Sequence, residues 1–174
     1  INISKIIDYD NNFIDILDNY GYDDGKKFIR IIKIAIKNVL GNEEATFKEL
    51  YEFSKLEFSV IGSNITNSKE TIFNHKTFPN MKIYEAIIIS SSIPLVFKPY
   101  KFNGDLYVDG GLNSCSTNYY KDQKKTLRIL INDFNEEQKK YDNIFEYLAS
   151  LIFYPIRNYK KFVCKGNTIY LKLT

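Results

Sequence analysis

The stretch from Ser90 to Gly111 constrains this chain more than any other. It reads Ser90-Ser91-Ser92-Ile93-Pro94-Leu95-Val96-Phe97-Lys98-Pro99-Tyr100, then Lys101-Phe102, and ends in Asn103-Gly104-Asp105-Leu106-Tyr107-Val108-Asp109-Gly110-Gly111. Pro94 and Pro99 punctuate the chain on either side of Phe97, Asn103-Gly104-Asp105 supplies a turn, and Leu106-Tyr107-Val108 predicts a short strand. The strand stops at two glycines, which take conformations closed to other residues and leave no side chain in the way. Asp109 is thereby delivered to an open strand end, where a working carboxylate belongs in an open α/β sheet. By itself Asp-Gly-Gly is a weak signal, more often a structural turn than a site.

Apolar spacing places a helix over 12–20, with Phe13, Ile16, Leu17 and Tyr20 on one face and Gly21 as its stop. A second helix, Asp24 to Leu40, carries Phe28, Ile32, Ala35, Ile36 and Val39 on its apolar side and ends at Gly41. Its other side aligns Lys26, Arg30, Lys33 and Lys37, a row suited to a solvated face or to phospholipid headgroups. The solvated face is the reading adopted, because helices as a rule bury one stripe and charge the other. Thr46 and Glu49 have capping-box spacing and start a short helix from Phe47 to Ser54. A strand follows over Leu56 to Ile61, a turn at Asn67-Ser68-Lys69, and a second strand at Thr71-Ile72-Phe73. Pro79-Asn80 opens the next helix, with Ile83, Ala86, Ile87 and Ser90 along one face. Beyond Gly111, Thr126 to Ile131 and Thr168 to Leu173 read as strands, and Tyr141 to Ile156 as a helix with Tyr141, Phe145, Leu148 and Ile152 aligned. Helices alternating with strands predict an α/β fold with a mixed, largely parallel central sheet. Residues 1–174 read as a single domain, with 136–174 as its closing helix and strand.

Composition narrows the function. With 24 basic and 21 acidic residues the formal charge is +3, too small to suggest nucleic acid. No apolar run reaches the roughly 18 residues of a spanning helix, and no signal-peptide pattern opens the chain. The expectation is a cytoplasmic protein, with any membrane contact peripheral. Cys115 and Cys164 read as reduced thiols, and one histidine without a Cys-x-x-Cys gives no zinc site. His75, Cys115 and Ser90 to Ser92 are chemically capable but poorly placed. His75 has no nucleophile beside it in sequence, and Cys115 follows a carboxylate that would raise a thiol pKa. The three serines lack the flanking glycines of a strand-to-helix elbow and read as a helix cap or close packing beneath a site. The basic cluster Arg157, Lys160 and Lys161 reads as a soluble loop. Plentiful Ile, Asn, Lys and Tyr, with Ile1 in place of methionine, suggest a fragment from a low-GC genome.

The longer string around Asp109 resembles the patatin-like phospholipase family. There a Ser-Ile-Pro segment leads through Phe-x-Pro and Gly-x-x-Tyr-x-Asp-Gly-Gly to the aspartate of a Ser-Asp dyad. Gly62-Ser63-Asn64-Ile65-Thr66, Glu85-Ala86 and Gly21-Tyr22-Asp23-Asp24-Gly25 also look like that family, so the likeness covers roughly residues 10 to 135. It implies a three-layer fold, present here incompletely, and a lipid acyl hydrolase that uses no cofactor and acts on phospholipid or another acyl lipid. Asp109 matches the catalytic position, with Gly110, Gly111 and Asn113 as its supporting loop. The family's following proline is absent from Leu112-Asn113-Ser114-Cys115.

Only the aspartate half of a dyad is present. No Gly-x-Ser-x-Gly and no Gly-Gly-Gly oxyanion loop occur, and Gly62-Ser63 lacks the first glycine at the right offset. Both missing elements precede, in family order, the point where the chain starts. Three readings follow: a serine acyl hydrolase whose nucleophile lies upstream, a catalytically inactive lipid-surface or scaffold module, and an incomplete domain that folds only with its other half. The first and third are compatible.

Overall fold

The computed structural model describes residues 18–112, 127–132 and 168–172, with helical positions at 144, 146–148, 150–152 and 154. They belong to two compact units, Ile1–Leu112 and Asn113–Thr174, each taken by itself.

In the first unit, Asp18 and Asn19 are helical and the rest of the helix expected over 12–20 lies outside the described residues. Tyr20 does not belong to a buried face: it adopts a φ of +61° and is 65% exposed. β1 (Gly21–Asp23) pairs in parallel with β4 (Leu95–Phe97). Gly21 is required there, because a Cβ would stand 2.4 Å from the Phe97 carbonyl carbon and oxygen. Helix α1 (Lys26–Leu40) runs between two left-handed glycines, Gly25 and Gly41, at φ +72° and +73°. Its faces differ from expectation. Ile36 is buried, and Phe28, Ile29, Ile32 and Leu40 are partly buried beside it, whereas Ala35 and Val39 are exposed. The buried stripe is the one that packs with Ala45 and Ile83, with Ile32 and Leu40 beside Ile36; Lys33 lies at its edge, pairs with Glu44, which also pairs with Lys82, and holds its ammonium 4.3 Å from the centre of the Tyr84 ring.

Helix α2 (Phe47–Ser54) begins at the predicted capping box. The Glu49 N–H donates to Thr46 Oγ1 (3.3 Å), and the Thr46 N–H donates to Glu49 Oε2 (2.7 Å). Lys55, left-handed at φ +57°, ends the helix. The Leu56 N–H then turns back to Ser54 Oγ (3.1 Å), so the following strand starts later than expected, at Val60. β2 (Val60–Asn64) and β3 (Lys69–Phe73) form an antiparallel hairpin through the expected turn. Helix α3 (Ile83–Ser91) also starts later than predicted, because residues 79–81 serve α2 instead. The Pro79 and Met81 carbonyls accept from the Lys48 and Phe47 N–H groups at 3.0 and 3.1 Å, satisfying donors that a helix start leaves orphaned. Ile83, Ala86, Ile88 and Ile89 are buried while Ile87 and Ser90 are only partly so, which places the buried residues on more than one helix face.

β5 (Tyr100–Phe102) and β6 (Asp105–Asp109) complete a four-stranded antiparallel sheet ordered β3-β2-β6-β5. The fold is mixed α/β, as expected, with antiparallel pairing more prominent than "largely parallel" suggested. The physical reason is connection length: β2–β3 and β5–β6 are joined by short turns, which only antiparallel strands can use. Phe47, Val60, Phe73, Met81, Ala86, Ile89 and Tyr107 form the main core, in which α3 lies on β2 and β6. In the second unit β7 (Arg128–Asn132) pairs in parallel with β8 (Thr168–Lys172), close to both predicted strands. The described positions between 144 and 154 are helical as expected; Tyr141, Phe145, Ile156 and the Arg157 to Lys161 cluster lie outside the described residues, as do both cysteines. Among the described residues no helix is long and apolar enough to cross a membrane.

Two outcomes follow. A Cβ at Gly62 would meet Ile89 Cγ2 at 2.4 Å and the Phe73 ring at 3.1 Å, so Gly62→Ala should cost about 1–3 kcal/mol in chemical denaturation. Hydrogen bonds from Lys33 and then Lys82 hold the Glu44 carboxyl below its ordinary 4.5. A depressed carboxyl stabilises the fold above its unfolded pKa, and that contribution is lost as pH falls through the folded value. Glu44→Gln should therefore lower the urea midpoint at neutral pH, and by progressively less below pH 4.5, as titrations of both proteins across the acid range will show.

Candidate functional site

Asp109 is the last residue of β6, and Gly110–Leu112 continues as a single 3-10 turn. Its main chain is held from two sides. The Asp109 N–H donates to the Ser92 carbonyl at the end of α3 (2.9 Å), and Ser63 Oγ of β2 donates to the Asp109 carbonyl (3.0 Å). Across the β2–β6 ladder, Asp109 stands opposite Gly62. The carboxylate is oriented in turn: Asp109 Oδ1 accepts the Gly111 N–H at 2.7 Å. The Ser63 and Ser92 hydroxyls therefore have structural work. Ser63 is buried and bonds the backbone rather than the carboxylate, and Ser92, 2% exposed, donates through Oγ to the Ile88 carbonyl at 2.7 Å.

The two glycines differ in what they must avoid. A Cβ at Gly110 would lie 2.4 Å from the Ile61 carbonyl oxygen, a rigid main-chain neighbour. At Gly111 the nearest atom is Asp109 Oδ1 itself, at 3.0 Å. Gly110 thus permits β6 to turn beneath β2, and Gly111 leaves room for the carboxylate. Asn113, expected beside them, lies outside the described residues.

The other end of β6 is locked by polar groups that the sequence reading missed. Asp105 Oδ2 accepts from Asn64 Nδ2 (2.8 Å) and Asn67 Nδ2 (2.7 Å), and the Leu106 N–H donates to Thr66 Oγ1 (2.9 Å). Asn64 is 1% exposed and its Oδ1 also takes the Asn67 N–H (3.0 Å). The signal was present in Gly62-Ser63-Asn64, small and polar residues inside a strand, and in Thr66 of the turn that follows; their partners some forty residues away were not visible. An apolar cleft of about 330 Å³ runs beside β6, lined by Ile65, Pro94, Pro99, Leu106, Val108 and Leu112 among others.

Of the remaining candidates, Ser92 caps α3 as expected, while Ser90 and Ser91 form its last turn. His75 stacks on Tyr51 of α2, with ring centres 3.8 Å apart and planes 3° apart. No cluster of His, Cys, Asp or Glu suited to a metal ion occurs among the described residues.

The mixed α/β fold thus holds one strand-end aspartate by its backbone, with an apolar cleft along the same strand. The pattern of the patatin-like phospholipase family matches residues 4–116, and the chain belongs to that family. It is 42% identical over 67 residues to "Probable lipid hydrolase 463L" of Invertebrate iridescent virus 6, a match covering 38% of this chain and 23% of that protein. It is 32% identical over 110 residues to "Uncharacterized protein R571" of Acanthamoeba polyphaga mimivirus, covering 57% of this chain and 37% of the relative. The chain thus matches well under half the length of either relative.

The glycine contacts separate two effects. Gly110→Ala should lower the denaturation midpoint because a backbone carbonyl cannot yield, whereas Gly111→Ala should largely keep the midpoint and displace the Asp109 carboxylate. Paired urea melts, with the Asp109 carboxylate signal followed by NMR, test this division.

Proposed function

We propose that the protein is a phospholipase A-like acyl hydrolase in which Asp109 is the base of a Ser-Asp dyad. The observation that supports this most directly is the way Asp109 is held. Its N–H, its carbonyl and one carboxylate oxygen are each tied to a different partner, Ser92, Ser63 and Gly111. A general base must be positioned before its basicity matters, and such a frame places a carboxylate without leaving its aim to side-chain freedom.

The chemistry requires a serine hydroxyl, which is a weak nucleophile until a positioned base takes its proton. Asp109 would accept that proton as the serine oxygen attacks the acyl carbonyl and return it to the departing alcohol. Water, activated by the same carboxylate, would then release the fatty acid from the acyl-serine. Neither Ser63 nor Ser92 suits the role, since both hydroxyls are committed to main-chain carbonyls. The nucleophile in this reading belongs to a segment outside these 174 residues. The apolar cleft along Leu106 and Val108 fits an acyl substrate better than a polar one.

Asp109→Asn preserves the acceptor for the Gly111 N–H and removes the base. In the full-length protein, fatty-acid release from phosphatidylcholine should fall by roughly a hundredfold or more, with the thermal midpoint within a few degrees of wild type. Turnover by Asp109→Asn at the wild-type rate would refute the assignment. A wild-type protein that binds vesicles and cleaves no ester would instead indicate a non-catalytic lipid-surface module.

A further inference from the structure

Helix α1 has three faces where a soluble surface helix ordinarily has two. One is buried around Ile36. The second aligns Lys26, Arg30, Lys33 and Lys37, of which Lys33 turns inward to Glu44 and the others are exposed. The third is exposed and mainly apolar: Ile31, Ile34, Ala35 and Val39 follow the i, i+3, i+4, i+8 spacing of one face, with Ile31 52%, Ile34 51% and Val39 65% exposed, and Lys27 and Asn38 stand among them at i−4 from Ile31 and i+4 from Ile34.

Charge on this helix is one-sided. Its fifteen residues, KKFIRIIKIAIKNVL, include five cations and no carboxylate. Lys26 pairs with Asp24, which precedes the helix, and among the described residues neither Arg30 nor Lys37 has an ion-pair partner. Ile34 lies between Arg30 and Lys37 at the i−4 and i+3 positions, so exposed cations border the apolar stripe directly. A helix kept in water gains from acidic residues of its own at these spacings, and the fifteen residues of this one include none.

We propose that this face of α1 docks the protein onto an anionic phospholipid surface, with Ile31, Ile34 and Val39 entering the acyl boundary and Lys26, Arg30 and Lys37 contacting headgroup phosphates. An exposed apolar stripe edged by Lys and Arg is the pattern of a helix lying in the membrane interface. The acidic lipid is specified by charge complementarity, since nothing on the helix would repel an anion. The inference rests on the lipid hydrolase reading and adds a location to it. From its N-terminus α1 leads directly to the candidate site: Gly25 and Phe28 share a small pocket with Ser91 and Ser92, and the Ser92 carbonyl holds Asp109.

The test uses the full-length protein and vesicles of phosphatidylcholine with or without phosphatidylserine. Wild type should co-sediment with the phosphatidylserine vesicles and less so at high salt. Lys26→Gln, Arg30→Gln and Lys37→Gln together should weaken that binding by about fivefold for each cation removed. Ile31→Ser with Ile34→Ser should weaken binding to both vesicle types by roughly tenfold or more. Both variants should keep wild-type turnover of a soluble short-chain ester while losing activity on vesicles, which separates docking from chemistry. If wild type cleaves neither substrate, the hydrolase reading fails while sedimentation still decides the docking surface. Equal vesicle binding by all three proteins would overturn the proposal. So would a marked fall in the denaturation midpoint of the isoleucine variant, which would show the stripe packed against protein.

Discussion

The contact of α3 with β2 at Gly62 carries the rest of the first unit. Because Gly62 has no side chain, Ile89 reaches the strand itself and packs with Phe73, and both are fully buried. That approach sets where α3 ends. Its end places the Ser92 carbonyl 2.9 Å from the Asp109 amide, while the neighbouring strand places Ser63 Oγ on the Asp109 carbonyl. A close apolar packing interaction thus determines the position of a polar group that takes no part in it. Interiors packed this tightly transmit displacement rather than absorbing it.

Around that contact, polar side chains are used as fixings, the buried Asn64 at their centre. Asn64 and Asp105 bind each other across two strands, and Asn67 joins them from the turn. Such groups would be costly if left unpaired. Satisfied, they set the β2–β6 register, and a slip of one residue would send Asp109 to the opposite face of the sheet. The candidate base is therefore held at both ends of its strand, by side-chain amides at Asp105 and by main-chain groups at Asp109. Preorganisation of this kind is what a proton-transfer group needs, since misplacement by about 1 Å can cost a hundredfold in rate.

Helix α1 shows how far a pattern of residues can be read without its neighbours. Its end was legible from Gly41 and its basic row from the spacing of Lys26, Arg30, Lys33 and Lys37, whereas the start expected at Asp24 falls at Lys26, after a left-handed Gly25. Which apolar stripe is buried was not legible. A sequence with isoleucine at 29, 31, 32, 34 and 36 supports several helical faces, and the choice falls to partners: Ile36 packs with Ala45 and Ile83, and Lys33 at the edge of that stripe pairs with Glu44. The consequence is an apolar stripe left outside, bordered by cations.

What the sequence determined by itself was local. The Thr46/Glu49 capping box, the β2–β3 turn, the Gly41 stop of α1 and the Asp109-Gly110-Gly111 strand end depend on bonds within a few residues and were readable from them. The family resemblance was readable for the same reason, because its motifs are contiguous. What only the tertiary structure decided was each assignment that needs a partner far along the chain. Residues 79–81 stay out of α3 because α2 uses their carbonyls, and Ser63 serves Asp109 from 46 positions away. Gly110 is required by a carbonyl on another strand. Sequence spacing reports the period of a helix or strand; it contains no term for the atom that will stand opposite, and the chemistry of this site lies in those atoms.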